Sequence, residues 1–479
     1  MKRTLIAALL LFTTLCATAQ KNKGYRINVH IEGLRDTSVL LGYHFGSKMY
    51  VADTAMVDSQ GSAVFSGDTL LHGGIYFVVL PEKKYFELLM TDKQQFGVQV
   101  KRSDLIKTLK FSGSPENSAF ADYQRFMVDR QERNKTLGEA LKEATDDAKK
   151  EELRKQLSDL NNEVEAEWER IAKKHPGSML AAMVNSMRPI NIPEFDIPEG
   201  TRNPDSLRWM MGYAYNRAHY FDHIDLTDSR LIRTPILEQR VDNYFDRVLM
   251  PSPDTLAKAA IAVIERTRPN RMMFQYMVQH ITNKFQMSDR MGMDGAFATV
   301  AERYYLSGDA WWADSNLVGR LRERVALIKP NMIGKTAPDL WMPNQQMRYQ
   351  RLSEIKAKIT VLYFWDPDCG HCKKTTPEVL KIFEKYKNKG MKVFAVYTQG
   401  DQPKWMEYTK NNNLNEWTHV WDPNIGSNFR NLYDISSTPV IYVLNENKKI
   451  LAKRIGYESL EQILEVELGD GLEKEKSKK

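Results

Sequence analysis

Between Tyr25 and Val100, apolar and polar residues alternate with a period near two, in runs broken by turn-forming residues: Tyr25–Ile31, Val39–Tyr43, Tyr50–Val57, Ala63–Ser66, Gly74–Leu80, Tyr85–Met90 and Phe96–Val100. Such alternation predicts half-buried strands. Asp58-Ser59-Gln60-Gly61 predicts a hairpin turn, because its glycine can supply a positive φ. Many short strands with no helical period predict a small antiparallel sandwich or barrel over residues 20–114.

From about Ser118 the period becomes helical, and residues 115–330 read as an α-helical region. Leu153, Leu157, Leu160, Val164, Trp168 and Ile171 recur every three or four positions, which lays one apolar stripe along a helix whose other faces carry Glu, Lys and Arg. His175-Pro176-Gly177 stops it, and prolines 189, 193, 198 and 204 mark a loop before further helical stretches to about Leu327. Beyond Gly334 apolar runs and amphipathic stretches alternate. Strands are predicted at Ile359–Trp365, Lys392–Thr398, Val440–Leu444 and Ile450–Ile455, with helices at Cys372–Lys387, Pro403–Asn412, Ile425–Tyr433 and Leu460–Leu468. The order β-α-β-α-α-β-β-α, closed by a hairpin at Glu446-Asn447-Lys448, predicts an α/β sandwich over residues 334–470. The fold class expected is therefore multidomain: an N-terminal antiparallel β domain, a central α-helical region and a C-terminal α/β domain, with residues 471–479 as a solvated charged tail.

Composition narrows the function classes. A chain of 479 residues suggests two to four domains. Its 68 Lys+Arg against 61 Asp+Glu leave +7, too small a bias at this length for a nucleic-acid footprint, so no nucleic-acid partner is expected. The mean hydropathy of −0.50 argues against a membrane bundle. At the N-terminus, Lys2-Arg3, the apolar run Leu5–Phe12 and Ala17-Thr18-Ala19 predict a cleavable signal peptide over residues 1–19, hence an exported protein. Cys16 follows Leu15, where a lipoprotein site takes a small residue, so acylation is disfavoured; an uncleaved leader acting as an anchor is a lesser alternative. Cleavage leaves Cys369 and Cys372, too few for a disulfide framework, so their chemistry is expected to be local.

Cys369-Gly370-His371-Cys372 falls between a predicted strand and a predicted helix. A sulfur at a helix N-terminus meets unpaired backbone N–H groups and the positive end of the dipole, which favour thiolate over thiol. His371 would favour it further. The C-x-x-C spacing lets the second sulfur attack a mixed disulfide formed at the first, so Cys369 is expected to be the exposed nucleophile and Cys372 the less accessible resolving thiol. Other readings compete. A structural zinc site needs four ligands and the chain has no second C-x-x-C; copper binding by the pair with His419, or an inert disulfide, are lesser alternatives.

Residues Gly334 to about Leu468 resemble a thioredoxin-fold domain of the TlpA/ResA-like thiol-disulfide oxidoreductases, on three elements: the C-x-x-C motif after a strand ending Phe364-Trp365, Pro377 five residues past the second cysteine, and Thr438-Pro439 before a strand. The resemblance implies that Pro377 kinks the active-site helix, that Pro439 is cis and faces the sulfurs, and that Thr438, Pro439 and Trp365 dock substrate. It implies protein disulfides as substrates, no organic cofactor, no metal, and an electron-donating membrane partner. One departure stands out: Tyr363 occupies the position, six residues before the first cysteine, of the buried carboxylate that helps move a proton in thioredoxins, and a phenol with a pKa of about 10 is a poor base at neutral pH. The Gly-His spacer matches protein disulfide isomerase, about 90 mV less reducing than thioredoxin. Family context favours reduction or exchange over net oxidation.

Weaker signals were weighed. The opening Gly334-x-x-Ala337-Pro338 also occurs in peroxiredoxins, but Asp366 stands where their motif places Thr. His219 and His223 share a helical face without the Glu a zincin needs, and Met272, Met273, Met277, Met287, Met291 and Met293 read as core packing rather than copper ligands. The stretches Tyr25–Val100 and Tyr220-Phe221-Asp222-His223 with Arg233-Thr234-Pro235 resemble domains of unknown function that precede thioredoxin-like domains in Bacteroidetes. The expectation is an exported, periplasmic thiol-disulfide oxidoreductase. The alternative is a ligand-binding or scaffolding protein with a secondary dithiol, or a copper(I)-handling one.

Overall fold

The computed structural model describes residues 24–469. The predicted leader with Cys16 and the charged tail lie outside them. The chain divides into two compact units, up to Tyr244 and from Phe245 onward.

The first unit opens with eight strands: β1 Arg26–Glu32, β2 Thr37–Phe45, β3 Lys48–Val57, β4 Ser62–Ser66, β5 Gly74–Val79, β6 Tyr85–Met90, β7 Gln95–Lys101 and β8 Lys110–Ser112. They form two four-stranded sheets, β4-β1-β7-β8 and β3-β2-β5-β6. Alternation along β1 buries Ile27, Val29 and Ile31 against Val39 and Leu41 of β2, giving the sandwich its core. Two details differ from the sequence reading. β1 and β7 run parallel, since a two-residue period fixes which face is buried but not strand direction. The Asp58–Gly61 turn does not close a ladder: β3 pairs with β2 and β4 with β1, so the chain crosses there between sheets. Asp58 caps the crossing by accepting from the N–H groups of Gln60 and Ser62 at 2.8 and 2.9 Å, and Gly61 has φ +83°.

Five helices follow in this unit: α1 Pro115–Glu143, α2 Asp147–Lys174, α3 Met179–Met187, α4 Pro204–His219 and α5 Pro235–Asn243. Asp146 caps α2 through the Lys149 N–H, and the apolar stripe buries Leu153, Leu160 and Ile171. His219 Nδ1 lies 2.6 Å from the Asp222 carboxylate, and its ring stacks on Tyr215.

The second unit begins with α6 Pro253–Thr267, α7 Arg271–Gln286, α8 Met293–Ala301 and α9 Ser315–Ile328. α7 buries Met273 and Met277, whereas Met287 is exposed. There follow β9 Trp341–Pro343, β10 Tyr349–Arg351, β11 Ile359–Trp365, α10 Gly370–Tyr386, β12 Met391–Tyr397, α11 Gln402–Asn411, β13 Thr418–Trp421, α12 Phe429–Leu432, β14 Val440–Asn445, β15 Ile450–Lys453 and α13 Tyr457–Leu468. A five-stranded sheet takes the order β13-β12-β11-β14-β15, with β12 and β13 parallel to the chain direction of β11 and β14 antiparallel to it. β13 was not expected, and the helix predicted at Ile425–Tyr433 is confined to Phe429–Leu432. β11 is apolar throughout because both its faces are covered: Val361, Tyr363 and Trp365 join one core with α10 and α13, while Leu362 and Phe364 join the other with Tyr433 and Tyr442.

Helix α8 and the turn after α9 are tied to the sheet by polar contacts. Lys453 of β15, 4% exposed, pairs with Asp294 of α8 and donates to Asn331 Oδ1 at 2.9 Å. Burial lowers the Lys453 pKa and the Asp294 charge opposes that, so Asp294 favours the charged ammonium. Asp294→Ala is expected to destabilise this unit by about 3 kcal/mol, measured as a lowered urea midpoint. Adding Lys453→Met should restore most of the loss; a double variant no more stable than the single would refute this account.

Candidate active site

The site forms where β11 hands the chain to α10. Parallel strands leave their carboxyl ends on one edge, and Asp366, Pro367 and Asp368 turn the chain there so that Cys369 caps the helix. Cys369 takes an extended backbone (φ −69°, ψ 120°), its N–H donates to the Asp366 carbonyl at 3.2 Å, and its Sγ accepts from the Cys372 N–H at 3.4 Å. A sulfur thus stands where Ser or Asp stands at other helix starts.

The two sulfurs sit in different surroundings. Cys369 is partly exposed and Cys372 is buried, one turn into the helix, and both are free thiols. Burial pushes the Cys369 thiol up, but hydrogen bonding to Thr438 and to the backbone N–H groups of Cys372 and His371 outweighs it, so Cys369 ionises below the ordinary cysteine value. Burial pushes the Cys372 thiol up to about 12. The Thr438–Pro439 peptide is cis, and the Thr438 carbonyl accepts from Cys369 Sγ at 3.2 Å. Hydrogen bonding by the Thr438 side chain also works against burial at Cys372, so one threonine acts on both thiols.

The other predicted residues fall as follows. His371 is exposed, and what it brings to Cys369 is its backbone N–H. A Cβ at Gly370 would meet nothing within 4 Å, so the glycine is not required by space. Pro377 lies inside α10 and offers no N–H to the Lys373 carbonyl one turn back. Trp365 is not a docking surface. It is fully buried, its ring lying 5.2 Å from Tyr408 and 6.4 Å from Tyr397, because odd-numbered residues of β11 point into the face covered by α10. Tyr363 is buried on the same face, and its hydroxyl lies 2.9 Å from Thr376 Oγ1. Burial raises its pKa far above the ordinary phenol value, so it stays protonated and cannot serve as a base. Burial raises the Tyr408 pKa, against hydrogen bonding to the same Thr376. Neither residue was singled out from the sequence; the spacing of Thr376, one turn beyond Cys372, is the signal that could have found it, and Tyr408 has none.

His419 does not join the sulfurs. It sits on β13 among Trp365, Trp405 and Trp417, with Nε2 2.8 Å from the Leu414 carbonyl, and burial lowers its pKa to about 4. Among the described residues, no three His, Cys, Asp or Glu side chains are grouped to hold a metal ion.

Residues 357–450 match a family described as thioredoxin-like, and residues 146–331 and 25–120 match domains of unknown function, DUF5106 and DUF4369. The chain is 24% identical over 131 residues to the thiol-disulfide oxidoreductase ResA of Bacillus cereus, a span covering 27% of this chain and 74% of that protein. Among solved structures, a domain of a possible thiol-disulfide isomerase from Cytophaga hutchinsonii is 37% identical and covers 31% of this chain and 97% of its own, with a TM-score of 0.28. A thioredoxin-like protein from Bacteroides caccae is 21% identical and covers 58% of this chain and 99% of its own, with a TM-score of 0.44.

The asymmetry of the pair sets an expected pH dependence. Iodoacetamide should modify Cys369 with a half-maximal rate below the free-cysteine value of about 8.5, while Cys372 stays unmodified through the neutral range. Thr438→Val keeps the backbone carbonyl but removes the side-chain hydroxyl whose hydrogen bonding lowers the Cys369 pKa, so it should move that profile to higher pH. Mass-mapped alkylation rates across pH check both.

Proposed function

We propose, from the premise that this chain carries a thioredoxin-like domain of the TlpA/ResA kind, that its dithiol reduces or exchanges disulfides of exported proteins. The observation that carries the reading is the contrast between Cys369, accessible and ionising early, and Cys372, buried with its thiol held protonated. In the first step the Cys369 thiolate attacks one sulfur of a substrate disulfide; the Cys369–substrate bond forms, the substrate S–S bond breaks, and the other substrate sulfur leaves as a thiolate. In the second, Cys372 attacks Cys369 Sγ, giving up its proton to the departing substrate thiolate. The first substrate thiolate takes its proton from water, so the substrate leaves with two thiols, the enzyme holds the disulfide, and two electrons have moved. Buried from water, Cys372 meets only a disulfide already bonded to Cys369, which limits side reactions.

Thr438 lies beside Cys369, where its backbone can pair with an extended substrate segment. The leader predicted from the sequence at residues 1–19 supports a periplasmic setting. There a reductase needs recharging, and a membrane electron donor fits that need. The Gly-His spacer favours a couple less reducing than thioredoxin, which suits exchange as well as reduction.

Mature protein should catalyse reduction of insulin disulfides by dithiothreitol, and Cys369→Ser should abolish it. Cys372→Ser should instead accumulate mixed disulfides at Cys369, visible as a mass shift on non-reducing analysis. Equal turnover by wild type and Cys369→Ser would remove this reading.

A further inference from the structure

Thr438 must be held beside Cys369 for either step, and its chain is gripped from both sides. Downstream, Val440 opens β14 and pairs with Phe364 of β11. Upstream, the grip comes from the helical part of the unit. Asp434, left-handed at φ +52° and nearly buried, places one carboxylate oxygen 2.8 Å from Arg324 Nη1 of α9 and the other 2.8 Å from Arg454 Nη1, just past β15. Two guanidinium groups on opposite oxygens fix the carboxylate's direction as well as its position. Asn331, buried just beyond α9, donates to the Leu432 carbonyl at 2.9 Å and to the Leu327 carbonyl at 2.7 Å. Leu432 and Asp434 are therefore fastened to α9. Ile435 is buried, Ser436 and Ser437 are exposed, and Thr438 follows at the sulfurs.

We infer that Arg324 and Asn331 are positioning residues for the dithiol, with α9 setting through Asp434 where Thr438 stands against Cys369. The helical segment thereby gains a part in the chemistry. This inference rests on the redox reading of the site. Removing Arg324 frees one Asp434 oxygen and lets the segment pivot on Arg454. Thr438 then loosens, and Cys369 loses the Thr438 side-chain hydrogen bonding that lowers its pKa.

The test uses the full chain and the pH profile of Cys369 alkylation. Arg324 is 38% exposed and borders an open cavity of about 770 Å³ with Arg290 and Lys453, so Arg324→Ala leaves no enclosed void. It should move the profile to higher pH and slow alkylation at neutral pH roughly three- to tenfold. Arg324→Lys should recover part of the rate. Asp434→Asn keeps a side chain that tolerates the left-handed backbone, and it supplies the decisive sign. A loosened segment moves the profile upward in both variants. A through-space charge effect moves it upward for Arg324→Ala, which removes a cation, and downward for Asp434→Asn, which removes an anion. Upward shifts in both, with little further change in the double variant, support the inference. Opposite shifts, or unchanged profiles despite lowered stability, overturn it. Insulin reduction by the wild type, run alongside, reports on the redox reading separately, since alkylation of Cys369 needs no turnover.

Discussion

The chemistry depends on backbone N–H groups at the first turn of α10 converging on one sulfur. Those donors lack intrahelical partners because a helix begins there, and Cys369 sits where they point. The same helix carries Cys372 inward, where loss of water acts on its thiol in the opposite direction. Two identical side chains three positions apart thus differ in acidity chiefly through solvation and hydrogen bonding, with the Cys369 charge adding to the rise at Cys372. The buried phenol of Tyr363 supplies no charge.

Much of this was legible from the chain. The alternation from Tyr25 to Val100 marks the sandwich strands, and the motif between an apolar run and an amphipathic helix marks the site, because both signals are local. What escaped depends on partners far away in sequence. Thr418–Trp421 becomes a strand only by pairing with β12. Trp365 ends an apolar strand, and whether its ring faces solvent depends on what covers that face. The parallel pairing of β1 with β7 has no signature in a period of two. Asp434 and Arg324 lie 110 positions apart and carry no local pattern.

The division of the chain also differs from a division by element type. Counting helices and strands sets a boundary near residue 330, whereas the compact units part at Tyr244 and Phe245. In the second unit α6 to α9 group with the thioredoxin-like sheet, and Asp294, Arg324 and Asn331 each bond to a residue of that domain, while the family match over residues 146–331 ends where element type places the boundary.

The Lys453–Asp294 pair has a consequence for how such chains are inherited. A crossover that swaps everything beyond Gly334 for the equivalent segment of a relative keeps the cysteine motif. Where the incoming segment lacks a lysine at the place of Lys453, it leaves Asp294 against a surface shaped for an ammonium group. A junction placed upstream, near Tyr244, would instead let α6 to α9 and the catalytic sheet travel together as one heritable block.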